Sequence, residues 1–232
     1  MKKLAAAVIL TAILAVPAFA ADVTVSAFGV YESKYRGFEA KIVTPIVNGM
    51  ADKKEQAKVN AKLAAEALRL AGEYNHDVSE MLADDPNTDA HLGCVSNFEI
   101  KTNNAKILAF DVYKLNIAGS SDTKRSFYVI DKSQRRLLTL REMFKKNADY
   151  VSVISKYIKG EMVRLNAKEK SMFWVDKSDM TLFKSIRPDQ NFYIDSAGRL
   201  VICFDKYEVA AGAQGTPEFT IPNKVLANIL AK

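Results

Sequence analysis

Cysteine, histidine and tryptophan are all scarce in this sequence. Its 232 residues hold two, two and one of them, with only ten glycines and six prolines. The histidines are His76 and His91, and neither an H-E-x-x-H nor a paired C-x-x-C motif occurs, so a zinc site has no usable ligand set. So little Gly and Pro excludes a collagen-like or low-complexity chain. Beyond residue 16 no apolar run reaches the roughly 20 residues of a membrane span, which excludes a polytopic membrane protein. There is no G-x-S-x-G elbow, and Gly212-Ala-Gln-Gly215 is too sparse to cradle a phosphate. An excess of 33 Lys+Arg over 27 Asp+Glu is too mild to argue for nucleic acid.

The first twenty residues have a secretory pattern. Lys2 and Lys3 precede an apolar stretch from Leu4 to Val16, and Ala18-Phe19-Ala20 supplies a small-x-small cleavage site. The mature chain is expected to begin at Ala21, with a net charge of +4, as a soluble periplasmic or secreted protein. No cysteine near the cut suggests a lipid anchor. Export permits a disulfide between Cys94 and Cys203, which would stabilise by about 4–5 kcal/mol in the chain-entropy model. Two separate buried thiols are the alternative, since free Cys packs as a small hydrophobe.

Residues 23–31 and 38–47 read as strands, with Pro45 marking an edge position or the end of pairing. Asp52 and Glu55 have capping-box spacing, and Leu63, Ala67, Leu70 and Ala71 form one apolar stripe, which predicts a helix ending near Gly72. Residues 73–91 carry six carboxylates and no Lys or Arg, and Asp84-Asp85-Pro86-Asn87 is loop chemistry. Strands follow at 94–100 and 106–118, then a turn over 119–124 and a returning strand at 126–131. Thr139 and Glu142 repeat the capping spacing before a short helix, and an amphipathic helix covers about 148–166. A hairpin at 191–205 turns on Ser196-Ala197-Gly198, and Pro222 opens a closing helix. These elements predict an α+β fold, antiparallel sheets with hairpins packed against two or three amphipathic helices. The expected organisation is a leader at 1–20, an N-terminal α+β half at 21–122 and a C-terminal half at 123–232, packed as one unit.

The chemistry-bearing candidates are few. Asp85-x-Asn87-x-Asp89 imitates the start of a calcium loop, but Ala90 replaces the required Gly and Ser96 the terminal Glu, so a solvated acidic loop is the reading and no metal or cofactor is implied. His91 lies three residues from Cys94, a spacing that does not make a catalytic pair. Glu99, Asp111, Asp131, Asp195, Asp205 and Glu208 fall in or near strands, where two of them would suit glycoside hydrolysis, but nothing in the sequence selects a pair. Phe110, Tyr113, Phe127 and Tyr128 alternate as core or cross-strand residues do.

Several segments together resemble one bacterial envelope domain family. They are Lys41-Ile-Val-Thr-Pro45, Asn60-Ala-Lys-Leu63, Phe127-Tyr-Val-Ile-Asp131, Leu138-Thr-Leu140, Met143-Phe144, Asn191-Phe-Tyr-Ile-Asp195, Leu200-Val-Ile-Cys-Phe204, Tyr207-Glu-Val-Ala210, Gly215 and Ile221-Pro222. The family is the extracytoplasmic domain of RsiV-type lysozyme-sensing anti-sigma factors, similar to domains beside some peptidoglycan deacetylase modules. The sequence departs from it at Ala211-Gly212-Ala213, where the family often has Pro-Tyr-Ala. A leader also stands where the family has its sigma-binding segment and membrane span, so signalling by sigma-factor release is not expected to carry over.

The resemblance implies an exported, non-enzymatic binding domain whose partner is a lysozyme-like muramidase or peptidoglycan. No catalytic residue comes with it. Lysozymes are commonly basic, which makes the acidic segment around Asp84, Asp85 and Asp89 the candidate binding element. An envelope glycan hydrolase using strand carboxylates, or a structural periplasmic subunit, are the alternatives.

Overall fold

The computed structural model describes residues 8–9, 22–118, 120–169, 173–175 and 182–231. One sheet follows sequence order: β1 (Val8–Ile9), β2 (Thr24–Tyr35), β3 (Phe38–Asn48), β4 (Leu92–Asn103), β5 (Ile107–Ala118), β6 (Ser120–Asp131) and β7 (Arg136–Leu137). A second has the order β10-β9-β8, formed by β8 (Phe192–Ile194), β9 (Leu200–Cys203) and β10 (Glu218–Ile221). With helices α1 (Lys53–Asp84), α2 (Tyr150–Glu169) and α3 (Asn223–Leu226), the α+β class is as the sequence predicts. The chain divides into two compact units. The first runs up to Glu99 and adds Val112–Asp122 and Lys132–Arg136; the second takes Ile100–Asp111, Thr123–Asp131 and everything from Leu137 onward.

In the first unit β2 and β3 pair antiparallel, with a bulge between Ala27 and Gly29 opposite Pro45 and Thr44. One pairing differs from the antiparallel expectation: β3 runs parallel to β4, Phe38–Ile42 against Leu92–Ser96. The reason is α1, which returns the chain to the same end of the sheet and so makes a crossover rather than a hairpin. The β3–β4 pairing ends at Ile42, so Pro45 sits beyond it, where its missing N–H costs no β4 bond. At the hairpin tip Gly37 has no room for a side chain, since a Cβ there would lie 2.6 Å from the Ala90 carbonyl oxygen.

Helix α1 starts where the sequence predicts, with the Asp52 carboxylate accepting from the N–H groups of Lys54 (2.7 Å) and Glu55 (3.2 Å). It does not stop at Gly72. The apolar stripe continues through Tyr74 and Val78, which pack with Leu70 against Phe38, Ala40, Ile42, Leu92 and Cys94. Burial on that sheet outweighs the roughly 1 kcal/mol helix penalty of one glycine.

The second unit has a core of its own. Tyr150, Ile154, Ile158 and Met162 recur along α2 and are buried with Leu200, Ile202, Phe219 and Ile221 of the small sheet and with Phe204 just after β9. Asp149 opens the helix by accepting from the Ser152 N–H (3.1 Å). The expected Thr139/Glu142 contact is present, the Glu142 carboxylate accepting from the Thr139 N–H (2.8 Å) and hydroxyl (2.7 Å), but it opens only a 3-10 turn at Arg141–Met143. In the β8–β9 hairpin Gly198 takes φ +74°, as a positive-φ turn residue requires. The closing helix is a single turn with Pro222 as its N-cap. The turn predicted over 119–124 is shorter than expected, since β6 already begins at Ser120; Gly119 lies outside the described residues.

Candidate functional site

The acidic segment is mainly helix rather than loop. Glu73, Asp77, Glu80 and Asp84 are exposed and recur at intervals of three or four, so they share one face of α1 over about 16 Å. Glu73 is engaged by Arg69 and by Lys114 (3.6 Å), and Glu80 by His76 (3.4 Å). Asp84 is the last helical residue and Asp85 the C-cap, its N–H donating to the Met81 carbonyl and its Oδ1 accepting from the Asn87 N–H (2.9 Å). Asp89 lies in the exposed connection to β4. The last turn of α1 has no basic residue, so these carboxylates add to the negative end of the helix dipole instead of offsetting it. Among the described residues no group of three or more His, Cys, Asp or Glu is placed to hold a metal.

The strand carboxylates separate into three arrangements within the second unit. Asp111, completely buried on β5, faces Arg125 (Nε–Oδ2 2.9 Å) and Lys101 (Nζ–Oδ1 4.0 Å). The same two cations approach Glu218 of β10 at 3.7 and 3.5 Å, and Glu218 accepts from the Tyr193 hydroxyl (2.9 Å). Burial, then Glu218, pushes the Tyr193 phenol well above its ordinary range. A carboxylate directly after the apolar run Ile107–Phe110 of β5 is the visible trace of this cluster. Its cationic partners lie on other strands, and sequence reasoning missed them.

Asp205 and Glu208 form the second arrangement. Asp205 accepts from the Arg125 N–H (2.9 Å), while Glu208 accepts from the Asp205 N–H (2.8 Å), from Gln190 Nε2 (3.1 Å) and from Arg187. Burial raises the Asp205 carboxyl despite the Arg125 N–H, and the nearby Glu208 charge adds to the rise. The third is local: Asp195 caps its own turn, accepting from the Ala197 and Arg199 N–H groups at 3.0 and 2.8 Å. Glu99 lies on β4 and Asp131 ends β6.

Cys94 in the first unit and Cys203 in the second are each buried and each a free thiol. Cys94 lies on β4 in the apolar cluster of Phe38, Ala40 and Leu92, and Cys203 lies on β9, buried near the charges of Glu218, Lys101 and Asp111. Burial pushes both thiols up, Cys203 very strongly. The departure at Ala211-Gly212-Ala213 also has a structural counterpart. Tyr207, at φ +65° and half exposed, lays its ring where a Cβ on Gly212 would stand.

Residues 141–224 match the family described as "Protein of unknown function (DUF3298)". The anti-sigma-V factor RsiV of Bacillus subtilis is 35% identical over 190 residues, which cover 82% of this chain and 64% of that protein. A DUF3298-family crystal structure from Bacteroides fragilis superposes with a TM-score of 0.65 at 15% identity, covering 90% of this chain and 94% of that one. Another from Pseudomonas aeruginosa PAO1 gives 0.54 at 12% identity, covering 91% and 96%. These two likenesses speak for the fold. The chain is therefore similar to the DUF3298 family over residues 141–224 and RsiV-like along most of its length.

Proposed function

We propose that this protein is an exported, non-enzymatic binding domain of the bacterial envelope that recognises a basic, lysozyme-like muramidase. The observation that carries the reading is the 35% identity to RsiV across 82% of the chain. The acidic face of α1 supports it. Its carboxylates stand exposed at a helix end of the same sign, and a cationic partner would relieve that crowding while being steered in by the field. Asp84, Asp85 and Asp89 are the proposed contacts, and the periplasm or cell exterior is the proposed location. Calorimetric titration of the exported protein with a c-type lysozyme, at low and moderate salt, tests this. Saturable binding that inhibits lysis and weakens with salt is expected; no heat at either salt would overturn the muramidase reading.

One observation favours a second reading, an envelope glycan hydrolase. Asp205 has a raised pKa and stands beside Glu208, a second carboxyl group at the same loop. Release of soluble fragments from peptidoglycan, lost in Asp205→Asn, is its signature. Against it stands the occupation of both carboxylates by backbone and side-chain donors that shape the loop.

A further inference from the structure

The open side of β2 is a separate surface. Among the described residues β2 is paired on this side only at Val30 and Tyr31, by Val8–Ile9 of the leader, so the edge accepts an antiparallel strand. The bulge at Ala27/Gly29 interrupts its N-terminal part, but Val30–Tyr35 runs regularly to the hairpin tip. The charges on this stretch have a particular order. Glu32 and Lys34, both exposed, lie on one face, symmetric about Ser33. Across β3, Glu32 pairs with Lys41 (2.8 Å) and Lys34 with Glu39 (2.5 Å).

A lone lysine on an edge strand repels a second copy, whereas opposite charges two residues apart are self-complementary under a two-fold axis. We infer that β2 pairs antiparallel with β2 of a second copy of this chain, centred on Ser33. Glu32 then faces Lys34 of the other copy and Lys34 faces its Glu32. Across the four strands the charges alternate without a break, Lys41, Glu32, Lys34 and Glu39, each flanked by the opposite sign. On the other face Tyr31 meets Tyr35 of the second copy, covering a ring that is 39% exposed in the single chain. Removal of the leader releases this edge, so the inference rests on the export reading for that one step.

The test is sedimentation velocity of the protein recovered after export, over a range of concentrations and at low and high salt, with its intact mass measured in parallel. A concentration-dependent dimer that weakens in high salt is expected. Glu32→Lys and Lys34→Glu each place like charges opposite one another in their own homodimers, so each variant alone is expected to be monomeric. Mixed together they restore both pairs and are expected to dimerise. Each variant keeps the same mismatch with β3 whether alone or mixed, so a folding defect cannot produce recovery on mixing. A processed protein that stays monomeric, or variants that dimerise alone as the parent does, would overturn the inference while leaving export intact. A mass retaining residues 1–20 would overturn both.

Discussion

At the scale of single residues, the two cysteines have the most definite chemistry. A thiol attacks as its thiolate, and burial disfavours that form in both Cys94 and Cys203. Neither is therefore expected to react with Ellman's reagent in the native protein at pH 8, and both are expected to react in denaturant without added reductant. A count of zero in denaturant would mean a bridge. Asp205 gives a pH dependence of known sign. Its folded pKa lies above the ordinary carboxylate value, so its contribution to stability is fully present in acid and is lost as pH rises through that folded value. Asn at 205 keeps an oxygen for the Arg125 N–H and never ionises. Chemical denaturation should therefore show Asp205→Asn gaining relative to the parent at pH 7 and losing that advantage near pH 3.5. Equal differences at the two pH values would count against this account.

At the scale of elements, β5 shows what a strand pattern reveals and what it conceals. The apolar alternation of 106–118 identifies the strand, yet from Leu108 to Asp111 both faces are buried. Asp111 survives there because Arg125 and Lys101 come from neighbouring strands of the sheet. Removing one member of a buried ion pair typically costs about 3–5 kcal/mol, because the partner charge stays behind. Asp111→Ala is expected to lower the unfolding free energy by about 3 kcal/mol, somewhat relieved by Glu218, whereas Asp111→Leu combined with Arg125→Met should cost less than the single change. Helix α1 illustrates the opposite case. Its start was legible because Asp52 acts on N–H groups two and three residues away. Its end was not, because Tyr74 and Val78 are held helical by β3 and β4 rather than by their immediate neighbours.

For the whole molecule, charge and its placement give different expectations. A net charge of +6 would repel a basic partner, and only a local concentration of carboxylates reverses that at short range. Replacing Asp84, Asp85 and Asp89 together by Asn should weaken lysozyme binding and flatten its salt dependence; unchanged affinity in the same titration would remove this end of α1 from the interface. By itself the sequence determined the α+β class, most strands, the hairpin at Gly198, the beginnings of the helices and the family likeness. Each depends on periodicity, a cap or a turn residue acting within a few positions, or on ordered motifs that need no contacts to be read. Only the tertiary structure decided the parallel β3–β4 pair, the continuation of α1 and the partners of Asp111. Those outcomes depend on which distant segments share an interior, where burial and unpaired charge outweigh local preference.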